Sequence, residues 1–336
     1  MRNTSRTKVC VIGAGAIGGF FGARLANGHA DVSVIARGAT LAALQTRGWV
    51  LEGSGDRIAA PVRATADPAE LGPQDIVILA VKAPALTQIA ALVHPLLGPS
   101  TLVVPALNGV PWWFTLGHAG LTVNARLASV DPQGLIEAAI PTSAVLGTVV
   151  YPACSTPEPG LTRHNSGSRV VFGEISCAAG TPPSPRLAAW VQLLRAAGFD
   201  AEASTDIRQE VWKKLLGNAC FNPVSLLTGS ATDDLIDDPG IYRLFSGMMR
   251  ETLAVGHALG IDVAIPVADR IALTRKLGHI KTSMLQDAEA GRPVELDAIL
   301  GAVNELAAAL GIATPSNDTV HALAQARART FGLLPA

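Results

Sequence analysis

The sequence predicts a doubly wound α/β domain followed by an all-α domain. In the first half, short apolar runs rich in β-branched residues alternate with helical patterns: Lys8–Ile12 (KVCVI), Val32–Ala36 (VSVIA), Asp75–Val81 (DIVILAV) and Thr101–Val104 (TLVV). Such unbroken apolar runs suit parallel strands covered on both faces. Beyond Pro185, apolar residues recur instead at helical spacing, around Arg186–Ala197, Ile207–Phe221, Ile241–Leu259, Val267–Leu277, Leu296–Leu310 and Thr319–Thr330. Between the two patterns lies Gly180–Pro185 (GTPPSP), the strongest loop signal in the chain. The expected domains are therefore residues 1–183 and 184–336.

Taken in order, the first strand leads through a glycine-rich turn into a helix reaching about Asn27, which Gly28 is placed to end. Trp49–Val62 holds two apolar runs around a Gly-Ser-Gly-Asp break and reads as a hairpin. A helix is expected near Ala85–His94. Ala144–Pro152, Leu161–His164 and Ser168–Phe172 read as strands extending the sheet. In the second half, Gly260 and Gly311 each follow an Ala-Leu pair and suit helix C-caps.

With 336 residues the chain is longer than one core usually holds, which agrees with two domains. It is 49% hydrophobic and 16% charged, with a net charge of −1 and no basic stripe, so a nucleic-acid footprint is absent. Cys10, Cys154, Cys177 and Cys220 form no C-x-x-C pair and read as reduced thiols of a cytoplasmic protein. The scattered histidines show no ligand spacing, so no metal is expected. Ala83–Ala125 carries no Asp, Glu, Lys or Arg, but its prolines cut it into pieces shorter than the roughly 20 residues a spanning helix needs, and no membrane segment is expected. The basic start MRNTSRTK runs directly into the glycine motif, which argues against a signal peptide.

The motif itself is Gly13-Ala14-Gly15-Ala16-Ile17-Gly18, a G-x-G-x-x-G that follows a strand and opens a helix. In that context Gly13 permits the tight turn, Gly15 admits a pyrophosphate against the backbone, and Gly18 packs helix on strand. The helix N-terminus then offers N–H groups to the phosphates of a dinucleotide. At the end of the second strand, where a carboxylate would bind ribose hydroxyls, stands Arg37. A guanidinium pairs with a 2′-phosphate where a carboxylate would repel it, so Arg37 points to NADP(H); the competing reading is a solvated surface arginine. Lys82 and Asn108-Gly109 each follow a strand at the edge where ligands of open α/β sheets bind. Taken alone, each reads more readily as a loop residue than as a site.

In the second half, Lys214, Asn218 and Asn222 recur at i, i+4, i+8 and share one helix face, drifting about 40° per step. Trp212, Leu215, Leu216 and Phe221 flank them. The stripe is either a solvated face or a polar line in a buried helix, where asparagine is costly without partners. Pro223 should end or kink this helix.

These features together resemble the ketopantoate reductases (2-dehydropantoate 2-reductases). The resemblance covers GAGAIG at Gly13–Gly18, the Arg37 position, Val81-Lys82, Asn108-Gly109, W-x-K-L-x-x-N-x-x-x-N-P from Trp212 to Pro223, S-M-L-Q-D at Ser283–Asp287 and E-L-D at Glu295–Asp297. It implies a Rossmann-type domain joined to a helical one, and NADPH-dependent reduction of a small 2-keto acid, 2-dehydropantoate, to (R)-pantoate in pantothenate biosynthesis. By the same resemblance, Lys214 matches the catalytic lysine, and Glu295 a glutamate near lysine, substrate and cofactor. Asn218, Asn222 and Ser283 match substrate-binding residues, and Lys82 and Asn108 match residues lining the cofactor–substrate cleft. Two features depart from the family pattern. Thr232 stands where another asparagine is common, and Trp112-Trp113 enlarge the loop after Asn108; packing is an equal reading of the two tryptophans. The alternatives are a reductase of another 2-keto acid, a β-hydroxyacid or imine reductase of the same plan, and a non-catalytic NADPH sensor. The apolar helices of the second half also leave room for a homodimer interface.

Overall fold

The computed structural model describes residues 6–53, 56–117 and 121–334. The chain forms two compact units. The first comprises Met1–Lys82, Leu86–Leu107 and Leu135–Ile207; the second comprises Ala83–Ala85, Asn108–Gly134 and Arg208–Ala336.

The first unit is a parallel sheet with helices. Along the chain run β1 (Lys8–Ile12), α1 (Ala16–Ala26), β2 (Asp31–Ile35), α2 (Gly38–Arg47), the hairpin β3 (Trp49–Gly53) and β4 (Asp56–Ala60), β5 (Arg63–Thr65), β6 (Ile76–Leu79), α3 (Ala83–Ile89) and β7 (Leu102–Pro105). Five of these strands form a sheet in the order β5-β2-β1-β6-β7, all parallel, with Val9 opposite Val32 and Ile76. Four of the five residues of β1 are buried, as a strand covered on both faces requires. The hairpin expected over Trp49–Val62 forms; Ser54 and Gly55 of its break lie outside the described residues. The helix expected near Ala85–His94 starts at Ala83 and tightens into a 3₁₀ stretch over Ala90–Leu96, which contains Pro95.

The middle strands do not simply extend that sheet. After α4 (Leu135–Ala139) come β8 (Leu146–Val150), β9 (Ala153–Glu158), β10 (Leu161–Ser166), β11 (Arg169–Glu174), α5 (Pro185–Ala196) and β12 (Asp200–Ala203). They divide: β12-β11-β8 form a three-stranded sheet that meets β7 by one bridge, Val103 to Val145, whereas β9 and β10 join the hairpin in a sheet ordered β4-β3-β10-β9. This second sheet covers α1. A Cβ on Gly22 would collide with the Trp49 ring, and one on Gly19 with Thr162, so the small face of α1 lets the sheet approach.

The expected division at residue 183/184 is corrected by the packing. Helix α5 and strand β12 belong to the first unit: Trp190 meets Phe172 edge-on at 5.8 Å, and Phe199 stacks on Phe21 at 5.0 Å. GTPPSP marks a helix start instead. Ser184 is the N-cap of α5, accepting from the Leu187 N–H at 3.2 Å, and Pro185 opens the helix.

The second unit is helical: α6 (Ile207–Thr228), α7 (Thr232–Asp237), α8 (Pro239–Ala258), α9 (Val267–Arg275), α10 (Ser283–Glu289), a π-helical turn over Asp297–Gly301, α11 (Ala302–Leu310) and α12 (Pro315–Thr330). Gly311 caps α11 in the left-handed region, as its position predicts. Helix α6 does not end at Pro223. Val224, Ser225 and Leu226 are all buried, and that burial holds the last turn helical despite the missing N–H. No helix among the described residues is long and apolar enough to cross a membrane.

Candidate functional site

The glycine turn lies in the first unit. Gly13 has φ +100°, and a Cβ there would lie 2.6 Å from the Ala80 carbonyl oxygen. Only glycine meets both conditions. A Cβ on Gly18 would collide with the Gly13 carbonyl, so α1 lies directly on the turn. Gly15 is the exception: it is exposed, with open space where its Cβ would be, and it caps α1 without a side chain. Ala14, Ala16 and Ile17 are partly buried between these glycines. The turn thus offers clear backbone at the N-terminus of an eleven-residue helix, which fits a pyrophosphate. One residue beyond buried Ala36, Arg37 is exposed at the N-cap of α2, whose first turn carries no acidic residue. That arrangement fits a 2′-phosphate.

A second group assembles in the helical unit. Lys214, half-buried on α6, donates through Nζ to Asn108 Oδ1 at 2.7 Å. Asn108 Nδ2 in turn faces Glu295 Oε2 at 3.5 Å. The buried Glu295 accepts through Oε1 from the backbone N–H of Ala83 at 3.0 Å. Burial pushes the Lys214 amine down from 10.5 to about 8, while the Glu295 carboxylate pulls it back up. The lysine is therefore poised between charged and neutral near physiological pH, as a proton donor needs. Asn218 and Asn222 follow one and two turns along α6, about 6 and 12 Å farther on. Asn222 is buried and the other two are half-buried, so the stripe is not a solvated face.

Comparison with known proteins identifies the family. The family profile for ketopantoate reductase PanE/ApbA matches residues 9–176, and that for its C-terminal part matches residues 206–328. A 2-dehydropantoate 2-reductase of Mesorhizobium japonicum is 45% identical over 317 residues, covering 94% of this chain and 96% of its own. The chain belongs to the ketopantoate reductase family. A crystal structure from Ralstonia solanacearum, classed provisionally as a ketopantoate reductase, superposes with a TM-score of 0.93 at 47% identity, covering 98% of this chain and 100% of that one. A PanE/ApbA family ketopantoate reductase from Ralstonia eutropha reaches 0.82 at 27% identity, covering 97% and 100%.

As a member of the ketopantoate reductase family the protein is an oxidoreductase acting on a keto/CH–OH group. Its departures from the family pattern have structural roles. Thr232 is buried and spent on the chain: its hydroxyl donates to Gly278 O at 3.1 Å and its N–H to Ile280 O at 2.9 Å. It ties down the segment that leads to Ser283. Trp112 and Trp113 are buried; Arg208 lies over the Trp113 ring at 5.6 Å, and Phe114 stacks on Trp212 at 5.6 Å. They are packing residues. Ser283 is exposed at the first residue of α10, and no hydrogen bond joins it to Lys214, Asn108 or Glu295. Lys82 is exposed directly before Ala83.

The Ala83 N–H was not anticipated from the sequence. Its signal is Pro84 in the first turn of a helix, since the first N–H groups of a helix must find acceptors outside it.

Proposed function

We propose that this protein reduces 2-dehydropantoate to (R)-pantoate, a step of pantothenate biosynthesis, with NADPH held by Gly13–Gly18 and Arg37. The single observation that carries the reading is the hydrogen-bonded group Lys214–Asn108–Glu295 on a lysine poised near pH 8. NADPH held by the Gly13–Gly18 turn and Arg37 would supply hydride when bound. The Lys214 ammonium stabilises the charge growing on the keto oxygen, donates its proton there, and is reprotonated from solvent. Glu295 and Asn108 hold the ammonium in place. Asn218 and Asn222 orient the substrate from the same helix face, Ser283 takes its carboxylate, and Lys82 serves the cofactor side. Orientation of this kind lowers a barrier by several kcal/mol, at most roughly 7–11.

The test is NADPH oxidation with 2-dehydropantoate and a panel of other 2-keto acids. Turnover is expected with 2-dehydropantoate first, and Lys214→Ala should lower kcat by about 10²–10⁴ with NADPH binding retained. Preference for another acid reassigns the substrate. NADPH binding with no acid reduced supports the sensor alternative. In the same assay, Arg37→Ala is expected to lower the NADPH-to-NADH efficiency ratio; an unchanged ratio removes Arg37 from the 2′-phosphate.

A further inference from the structure

Two residues after Glu295 the backbone departs from the α-helical pattern. Asp297–Gly301 form a π turn, closed by the Ala302 N–H on the Asp297 carbonyl, before α11 continues in regular form. A π turn holds one residue more than an α turn and takes carbonyls out of the ordinary ladder. Here the Ala298 carbonyl accepts from the Val110 N–H at 2.7 Å. The Asn108-Gly109-Val110 loop therefore rests directly on the π turn. At the contact, Gly109 has φ +79°, and a Cβ would lie 2.6 Å from the Ala298 carbonyl carbon and collide with its oxygen. Neither the conformation nor the space admits a side chain. Asp297 ties the turn to α12, accepting from Gln325 Nε2 at 3.4 Å and facing His321 Nε2 at 3.7 Å.

We propose that this π turn is the seat that sets Asn108 against Lys214, with Gly109 as a positioning residue and Asp297 as the anchor of the seat. The proposal rests on the reading that Lys214 and Asn108 work together, and not on which keto acid is reduced. Asn108 serves two neighbours with one amide: Oδ1 faces the Lys214 ammonium and Nδ2 faces Glu295. An amide so placed tolerates little displacement, because a hydrogen bond of ordinary length is lost within about 1 Å. A loop clamped by close backbone contact, and not by side chains, holds that position with little freedom. The Ala298 carbonyl, within the π turn, makes the clamp.

The test reads Lys214 without turnover. Its reductive methylation, followed across pH by mass spectrometry of the Lys214 peptide, gives the midpoint at which the amine loses its proton. In Gly109→Ala the midpoint is expected to fall below wild type, because an acceptor on the charged form is lost. Asn108→Ala should fall by the same amount, and the double variant no further, since one interaction cannot be lost twice. Asp297→Ala, at a half-exposed side chain, should give a smaller fall in the same direction and keeps the test open if Gly109→Ala does not fold. In steady-state assays Gly109→Ala should lower kcat by about tenfold or more in the wild-type background, and much less in Asn108→Ala. Midpoints unchanged in both Gly109→Ala and Asp297→Ala overturn the proposal. So does a Gly109→Ala effect that is undiminished in the Asn108→Ala background. A wild type that reduces no 2-keto acid sinks the functional reading alone, because the labelling comparison stands without it.

Discussion

On the proposed function, Lys214 answers two opposed demands: a buried amine prefers to be neutral, yet a proton donor must be charged. Its pKa of about 8 carries a definite sign for activity. Below that pH the ammonium is present and turnover should be level; above it kcat should fall about tenfold per pH unit. In Lys214→Arg, whose guanidinium stays charged beyond pH 12, the residual activity should show no such limb. A kcat–pH profile from 6 to 10 decides; a limb that persists in the arginine variant assigns it to another group. The same shift bears on stability. Between about 8 and 10.5 the unfolded chain holds a proton that the folded one has released, so the burden of burying this charge eases as pH rises through that window. At this scale, the candidate site was legible in part. Lys214, Asn218 and Asn222 share one helix, so spacing marks the stripe but leaves open whether it is solvated or buried. Glu295 and Asn108 arrive from distant parts of the chain; the family resemblance linked Glu295 to the lysine, and it gave Asn108 only as a residue of the cofactor–substrate cleft. The Ala83 N–H is a backbone group with no side-chain signature.

Helix α5 decides how the elements are grouped. Its buried Trp190 packs on Phe172 of β11, and Arg186 binds Glu174 at the end of the same strand. Trp190→Ala should destabilise the protein by about 3–5 kcal/mol, read as a lower urea midpoint, because it empties a filled site in the sheet's own core. A change below about 0.5 kcal/mol would place α5 outside that core. The periodicity that predicts α5 is sound, but a Ser-Pro helix start and a domain linker carry similar residues, so GTPPSP could not separate them. The helix α6 misled in the opposite way. Pro223 predicts an end or a kink; the end does not occur, because burial of the three residues after it outweighs one missing hydrogen bond. The π turn had no sequence signal at all, because a turn widened by one residue depends on what its freed carbonyl meets across the fold.

For the whole molecule, the two units are not consecutive in sequence: residues Asn108–Gly134 belong with the helices, although they are made between β7 and α4. Alternating strands and helices gave the fold class correctly, but pattern along a chain does not tell which core a loop joins. A fragment of residues 1–183 should therefore fail to fold cooperatively. It lacks α5 and β12 from its core and carries a segment whose partners are missing. A sharp, reversible thermal transition in that fragment, followed by circular dichroism, would overturn this expectation. The interleaving also sets an order of events during synthesis. At roughly 5–20 residues per second, Asn108 leaves the ribosome about 10–40 s before Glu295 does. For that interval the loop that is to hold Lys214 has neither its carboxylate partner nor the π turn on which it rests. Until its far end arrives, the nascent chain must carry the apolar stretch around Trp112 and Trp113 without the helices that bury it in the finished fold.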